Sequence, residues 1–301
     1  AFDNYSKVVA QSRLNPKFLP GIRIPRKIEI TSELKKAVGN KDIVDIAIPS
    51  QYTRQILKKI KGDFNRGTIF LSVTKGIEIK SSQRISEIVR AELGPVKLAV
   101  LSGPTIAQEV AKGIPTAAVV ASKNKEIREL LQGVFNTERF RVYTNADIIG
   151  VELGGSLKNV IAIACGVSDG LGFGTNTKAA ILARGLAEIS RLCKTMGANL
   201  ETFSGISGLG DLITTCISKQ SRNRFVGEQI GKGKTLKNIS KHMQMVAEGV
   251  PTAKSAYALS KKYKVDMPIT EEVYGLLYKN KSPLQAVRDL MSRRSREEFE
   301  L

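Results

Sequence analysis

The sequence has no tryptophan, one histidine, three cysteines, and an aromatic content of only 6% over 301 residues. Each scarcity excludes something. A lone His242 cannot build a histidine metal cluster or a Ser-His-Asp triad, and its lysine-rich surroundings read as solvated surface. Cys165, Cys193 and Cys216 are odd in number, far apart and set in apolar or helical contexts. That fits reduced thiols better than disulfides or zinc. Polar or charged residues interrupt every apolar run before it is long enough to span a bilayer. No charged-then-apolar N-terminal segment reads as a secretion signal. Acidic residues are also short: 28 Asp and Glu against 47 Lys and Arg leave a net charge of +19. Nucleic acid or anionic membrane is one reading of that excess. The basic residues are nonetheless spread along amphipathic segments such as Ile56-Leu57-Lys58-Lys59-Ile60-Lys61, with no aromatics interleaved. A generally basic surface is the preferred reading, and its field also favours an anionic small substrate.

The last absence is a motif. A dinucleotide-binding half opens with a strand, a G-x-G-x-x-G turn and a helix, and that arrangement does not occur. Gly170-Leu171-Gly172-Phe173-Gly174 and the run from Gly205 to Gly210 follow helical patterns instead. The first residues read as the helix after a second strand. The expectation is therefore a chain that starts in mid-fold, with the opening βαβ unit missing from it.

Hydrophobic residues make up 42%, enough for a real core, and the length suits one large or two ordinary domains. Residues 1–14 read as helix, followed by turns at Asn15-Pro16-Lys17 and Leu19-Pro20-Gly21. Ile28-Glu29-Ile30 reads as a short strand and Thr31-Ser32-Glu33-Leu34 as a helix start. Strands are predicted at 43–49, 68–73, 98–101, 117–121 and 139–143, alternating with helices at 52–60, 81–92, 105–112 and 125–135. Asp45 interrupts the first of these strands for no reason visible in the sequence. The alternation predicts a mostly parallel, doubly wound α/β sheet over 1–147, followed by a helical domain over 148–301. Ligands of such sheets bind beyond the C-terminal strand ends. Those ends carry Ile48-Pro49-Ser50, Thr74-Lys75-Gly76 and Ser102-Gly103-Pro104-Thr105, the last leading into a helix N-terminus suited to an anion.

The helical half opens on Val151-Glu152-Leu153-Gly154-Gly155-Ser156-Leu157-Lys158-Asn159-Val160, which enters a long apolar run. At helical spacing Val151, Gly154, Gly155, Lys158 and Ala162 share a face. Glycines there admit close approach of a backbone or ligand. A lysine at the end of such a slot is either desolvated, with a lowered pKa, or snorkels to the surface.

These stretches resemble the bacterial-type NAD(P)-dependent glycerol-3-phosphate dehydrogenases from about residue 8 onward. The resemblance rests on Asn15-Pro16-Lys17-Phe18-Leu19-Pro20-Gly21, Ile48-Pro49-Ser50, Thr74-Lys75-Gly76-Ile77-Glu78, Leu101-Ser102-Gly103-Pro104-Thr105, Val142-Tyr143-Thr144-Asn145 and Gly150 to Asn159. It continues through Gly208-Leu209-Gly210-Asp211-Leu212, Ser221-Arg222-Asn223-Arg224, Glu248-Gly249-Val250 and Met267-Pro268-Ile269-Thr270. It implies a Rossmann-type domain joined to an all-α domain, and the interconversion of dihydroxyacetone phosphate and sn-glycerol 3-phosphate with NAD or NADP. Residues just after the second strand choose between those cofactors, and they fall at or before Ala1. The resemblance also implies a cytoplasmic homodimer that supplies glycerophospholipid synthesis, with no nucleic-acid partner and no integral membrane segment. By motif, Lys158 is similar to the family's proton donor and acceptor, and Lys75 to a second substrate-side lysine close to the nicotinamide. Asp211 resembles the carboxylate that orders Lys158 and the substrate hydroxyls. Gly103 and Thr105 match substrate contacts, while Ser221, Arg222 and Asn223 match the phosphate-binding run. Ala107, Val246 and Glu248 match cofactor contacts, as does Arg222. The alternatives are a related β-hydroxyacid dehydrogenase, a decayed member that binds no cofactor, and a basic binding module.

Overall fold

The computed structural model describes residues 3–243, 245–295 and 297–298. Of the helix expected over 1–14, Ala1 and Phe2 lie outside these residues, and α1 spans Asp3–Ser12. A small antiparallel hairpin follows, β1 (Leu14–Asn15) with β2 (Leu19–Arg23). Leu19-Pro20-Gly21, expected as a turn, is therefore strand. Ile28-Glu29-Ile30, expected as a strand, is irregular, and Ile28 is exposed. Among the described residues no strand pairs with it, and the Ile28 carbonyl accepts a 2.6 Å bond from Arg13 Nη2.

The main sheet has the order β3 (Ile43–Ile46), β4 (Ile69–Ser72), β5 (Lys97–Ser102), β6 (Thr116–Ala121), β7 (Phe140–Asn145). The strands alternate with α2 (Leu34–Val38), α3 (Ser50–Ile60), α4 (Ile85–Leu93), α5 (Ala107–Ala111) and α6 (Lys125–Phe135). Helices on both faces explain why β4 is buried at every position. Asp45 is an exposed position on β3, one of the two edge strands, although neighbouring protein still desolvates its carboxyl enough to raise it to about 6. β3, β4 and β5 are parallel, as are β6 and β7, but β5 and β6 pair antiparallel through Val100↔Ala121, Leu101↔Val120 and Ser102↔Val119. The sheet is mostly parallel as expected, and this one pair is antiparallel because the connection does not cross the sheet. It turns back after β5 at Gly103 (φ +146°) and again at Gly113 (φ +70°), with only the short α5 between.

From Ile148 onward the chain is helical: α7 (Ile148–Gly170), α8 (Thr175–Thr195), α9 (Glu201–Ser204), a π-helical turn (Ile206–Gly210), α10 (Asp211–Ile217), α11 (Arg222–Gly231), α12 (Leu236–His242), α13 (Gly249–Tyr263), α14 (Pro268–Tyr278) and α15 (Pro283–Met291). The 23-residue α7 is the axis, buried on nearly every side. Contrary to the expectation of no such run, it is long and apolar enough to cross a membrane by length and composition. Inside the fold, 89% of its most apolar window is covered by protein. Two glycine pairs four residues apart, Gly166 and Gly170 on α7 and Gly227 and Gly231 on α11, bring these helices into backbone contact. A Cβ on Gly166 would sit 2.0 Å from the Arg224 carbonyl, and one on Gly227 the same distance from that of Ile163. No side chain fits either position, so the N-terminus of α11 is held fast against α7.

Buried carboxylates fasten the rest. Glu152 on α7 accepts from Arg84 Nη1 (2.8 Å), Ser86 N (2.7 Å) and Ser86 Oγ (2.6 Å) at the start of α4, tying the sheet layer to the helices. Glu188 on α8 accepts from the Ile269 and Thr270 N–H groups (2.9 Å each) and from Thr270 Oγ1 (2.7 Å), which caps α14. Burial pushes its carboxyl up to about 7, against the pull of those donors. Removing Glu152 strips the buried Arg84 of its buried partner and leaves it only the more exposed Glu87 (2.9 Å), and it also leaves Ser86 N and Oγ without their acceptor. Glu152→Ala is expected to cost about 3–5 kcal/mol in urea unfolding, and a midpoint equal to that of the parent protein would contradict this role.

Candidate functional site

The site forms where α7 meets the strand ends and the π-helical turn. Gly154 and Gly155 make that approach possible. A Cβ on Gly154 would lie 3.1 Å from the Ser207 carbonyl, and one on Gly155 would lie 2.4 Å from Ser102 Oγ at the end of β5. One helical turn further, Lys158 points at α10. Its Nζ donates to Asp211 Oδ1 at 2.5 Å and to Thr215 Oγ1 at 2.6 Å. Thr215 is one turn beyond Asp211 and donates in turn to the Asp211 carbonyl (2.7 Å). From the opposite side Lys75, just beyond β4, donates to Asp211 Oδ2 at 2.8 Å and to the Gly103 carbonyl at 2.6 Å, with Thr105 Oγ1 at 3.5 Å. One carboxylate thus holds two ammonium groups.

Lys158 is 5% exposed and Asp211 1%. Burial lowers the Lys158 amine to about 8; the Asp211 carboxylate opposes that shift and the Lys75 charge adds to it. The amine does not snorkel. Lys75 keeps about a fifth of its side chain exposed, so the pair has one dry member and one that faces the cleft. Gly103, at φ +146°, would bring a Cβ within 3.0 Å of the Ala117 carbonyl, so the residue whose carbonyl anchors Lys75 can only be glycine.

The second group of residues gathers at the start of α11. Ser221 is the N-cap, its Oγ accepting from Arg224 N at 3.2 Å. Arg224 is engaged elsewhere: its Nε donates to Asp169 Oδ2 (2.7 Å), whose other oxygen takes Lys178 (2.6 Å). Arg222 is solvent-accessible, and its Nη1 donates to the Val246 carbonyl at 2.8 Å. Partial burial lowers its pKa, opposed by the nearby Glu248 carboxylate. Glu248 spans the cleft, accepting from Ser50 N (2.9 Å) and bonding Ser50 Oγ (2.5 Å), at the end of the first strand loop. A Cβ on Gly76 would collide with both groups, 2.5 Å from Ser50 Oγ and 2.6 Å from Glu248 Oε2. Burial raises the Glu248 carboxyl, and the Ser50 bonds lower it in part.

Lys158, Lys75, Asp211, Gly103 and Thr105 therefore form one hydrogen-bonded set, and Ser221, Arg222, Asn223, Val246 and Glu248 border it. Ala107 stands apart, exposed in the first turn of α5. Sequence reasoning assigned no role to Thr215, Asn159 or Ser50. Each carried a signal: Thr215 lies four residues after Asp211, Asn159 follows Lys158, and Ser50 ends a strand loop already marked as a ligand edge. Asp211→Asn is expected to move the Lys158 pKa further below its value of about 8, because the carboxylate is what holds the charge. Nuclear magnetic resonance titration of isotope-labelled lysine reads this directly, and a Lys158 pKa at or above the ordinary 10.5 in the unmodified protein would contradict the geometry.

Both halves of the chain match one family of known proteins. The sequence profile of the NAD-dependent glycerol-3-phosphate dehydrogenase N-terminus matches residues 3–128, and that of the C-terminus matches residues 147–288. The glycerol-3-phosphate dehydrogenase [NAD(P)+] of Thermoanaerobacter sp. is 49% identical over 296 residues, covering 98% of this chain and 89% of the relative. That of Prosthecochloris aestuarii is 47% identical over 293 residues, covering 96% and 88%. The crystal structure of glycerol-3-phosphate dehydrogenase from Coxiella burnetii superposes with a TM-score of 0.94 at 37% identity, over 97% of this chain and 89% of that one. A ketopantoate reductase from Ralstonia eutropha (TM-score 0.51, 11% identity) and a D-mandelate dehydrogenase (0.57, 10%) share the fold alone. The chain belongs to the NAD-dependent glycerol-3-phosphate dehydrogenase family.

Proposed function

We propose that this chain reduces dihydroxyacetone phosphate to sn-glycerol 3-phosphate, and runs the reverse oxidation, with NAD(P)H. The observation that carries the reading is the buried Lys158 amine, tuned to about 8 and shared with Lys75 on one carboxylate. Reducing a ketone generates an alkoxide, which needs a proton and a neighbouring cation. Lys158 supplies the proton and takes it back in the reverse direction, since a donor is most effective with a pKa near the working pH. Lys75, on the wetter side, stabilises the developing oxyanion. Asp211 orients both amines by accepting from each. Gly103 and Thr105 bound the substrate end, where the Gly103 carbonyl fixes Lys75.

Arg222 is the cation for the phosphate, because Arg224 is consumed by Asp169. Ser221 and Asn223 flank it in the first turn of α11, whose leading N–H groups have no carbonyl one turn back to bond. The residues present also fit the nicotinamide end of a dinucleotide. Glu248 and Arg222 place a carboxylate and a guanidinium beside the strand end that carries Lys75, with Val246 as a further contact; a cofactor role for Ala107 rests on the motif resemblance alone. When bound, the reduced nicotinamide supplies the hydride. The glycine-rich turn that would cradle a pyrophosphate is not among residues 1–301, so the roles assigned here stop at the nicotinamide. The same reading divides the chain at Asp147 and Ile148 into a dinucleotide-binding part and a substrate part. It also carries a cytoplasmic homodimer that feeds glycerophospholipid synthesis.

The test follows the consumption of NADH and NADPH with dihydroxyacetone phosphate. Lys158→Met is expected to reduce kcat on the order of a hundred- to ten-thousand-fold with little change in the KM for the nicotinamide. Arg222→Ala is expected mainly to raise the KM for the phosphorylated substrate, because its contact exists before and during hydride transfer. A Lys158→Met enzyme with near-parental turnover would defeat the assignment.

A further inference from the structure

We propose that Gln51 and Arg54, on one face of α3, are positioning residues that clamp the loop after Lys75 and so set the reach of its amine. The inference rests on the oxyanion role given to Lys75 above. β4 ends at Ser72 and α4 begins at Ile85. Lys75 is therefore carried on a loop, closed on itself by an isolated bridge between Ile77 and Arg84. A lysine amine stands at the end of a flexible four-carbon stem, so its reach depends on where its backbone is held. On the strand side, Thr74 Oγ1 donates toward the Ile46 and Ile48 carbonyls (3.0 and 2.8 Å). The Lys75 carbonyl accepts from Asn159 Nδ2 at 3.2 Å. Gly76 has no side chain to hold. The next anchor points are Ile77, Glu78 and Ile79, and α3 supplies the hold on each.

Gln51 grips the backbone. Its Nε2 donates to the Ile77 carbonyl at 2.9 Å and its Oε1 accepts from Ile79 N at 3.0 Å, as a neighbouring parallel strand would. Arg54, one helical turn on, grips the side chain between them. Its Nε and Nη2 donate to the two oxygens of Glu78, each at 2.8 Å, the forked pairing that fixes a carboxylate in both distance and angle. Nη2 also donates to Gln83 Oε1 at 2.6 Å, and Nη1 pairs with Glu92 on α4. Glu78 is 6% exposed, and Ser81 Oγ donates to it as well, at 2.5 Å. The Arg54 guanidinium holds the Glu78 carboxyl below its ordinary value, against the effect of burial. Ile77 itself is fully buried in the core of the helical half, and its carbonyl also accepts from Ser255 Oγ on α13 at 3.1 Å. The loop is thus held between α3 on one side and the helical core on the other.

Lys75 needs such a hold because it shares Asp211 with a second ammonium group. The two like charges repel, and the repulsion is relieved if the Lys75 loop recedes from α7. The clamp opposes that movement. It acts through the loop, since the bonds of Gln51 and Arg54 go to Ser50, Ile77, Ile79, Glu78, Gln83 and Glu92, not to Lys75. A receding Lys75 also leaves a trace on Lys158. The charged and titratable groups that act on the Lys158 amine are Asp211 and Cys216 on α10 and Lys75 itself, and of these Lys75 pulls the pKa down. Drawing Lys75 away therefore raises it.

The experiment compares the parent protein with Arg54→Met, Lys75→Met and the double variant. Misplacing a reacting group costs up to about a hundred-fold in rate, and Arg54→Met is expected to lower kcat with dihydroxyacetone phosphate by about ten-fold or more within that range. The KM is expected to stay nearly unchanged, because the oxyanion that Lys75 meets exists only in the transition state. In the Lys75→Met protein the same substitution is expected to change kcat by less than about two-fold, since the two residues act as one unit. Nuclear magnetic resonance titration of isotope-labelled lysine adds a readout that needs no turnover. Arg54→Met and Lys75→Met are both expected to raise the Lys158 pKa above its value of about 8. Gln51→Ala leaves the Arg54 ion pairs intact and stands in if Arg54→Met does not fold, with the same shift expected. Losses that add in the double variant, or a Lys158 pKa that the α3 substitution leaves where it was, overturn the clamp and make Arg54 a support of the fold alone. A parent protein without turnover of dihydroxyacetone phosphate defeats the proposed function instead, and the titration still decides the clamp.

Discussion

The carboxylate of Asp211 bears two lysine ammonium groups, and the arrangement of the site depends on it. Two like charges at 4 Å repel by about 4 kcal/mol at an effective dielectric of 20, and burying one of them adds a desolvation penalty. A single carboxylate bonded to Lys158 at 2.5 Å and to Lys75 at 2.8 Å offsets both costs. Much of the surrounding structure serves to bring these three groups together. Gly154 and Gly155 let the π-helical turn and the end of β5 press against α7, and the turn delivers Asp211 at the head of α10. Glycine at position 103 lets the chain double back so that its carbonyl faces Lys75. The antiparallel pairing of β5 and β6, unusual in an otherwise parallel sheet, belongs to the same turn.

The balance of these forces gives the site its chemistry. Burial alone would drive the Lys158 proton off, and the carboxylate alone would hold it too tightly to give up. Their compromise leaves an amine that exchanges its proton near neutral pH. The phosphate end follows a different economy. Of the two arginines in Ser221-Arg222-Asn223-Arg224, one is consumed by Asp169 and one is left facing the cleft. The close glycine packing of α11 on α7 fixes where Arg222 stands. Lys158 and Arg222 thereby stand on two helices that cannot slide past one another without a backbone collision.

Much of this was legible in the sequence. The βαβ alternation gave the strand positions, and α6 fell on the residues predicted for it. The small-residue face of α7 was readable from spacing alone, and so was the slot that receives Lys158. Motif resemblance supplied the partners, because nothing in a linear sequence says that Asp211 will meet residues 53 and 136 positions away. What escaped notice had physical reasons. The turn-back after Gly103 depends on a positive φ that any glycine permits but none announces. The Gly166/Gly170 and Gly227/Gly231 pairs look like ordinary helix interruptions until the two helices are seen to touch. Strand-like Ile28-Glu29-Ile30 failed for want of a neighbour, which a local pattern cannot supply. Asn159 and Thr215 were overlooked because asparagine and threonine have no charge to draw attention, although their bonds orient the groups that do.

The most direct test of the account is the pH dependence of kcat/KM in both reaction directions. A proton donor must be charged for ketone reduction and neutral for alcohol oxidation. Reduction of dihydroxyacetone phosphate is therefore expected to fall as pH rises through a value near 8, and oxidation of glycerol 3-phosphate to rise through the same value. Profiles that are flat through this region, or that move in the same direction, would contradict the claim that Lys158 carries the proton.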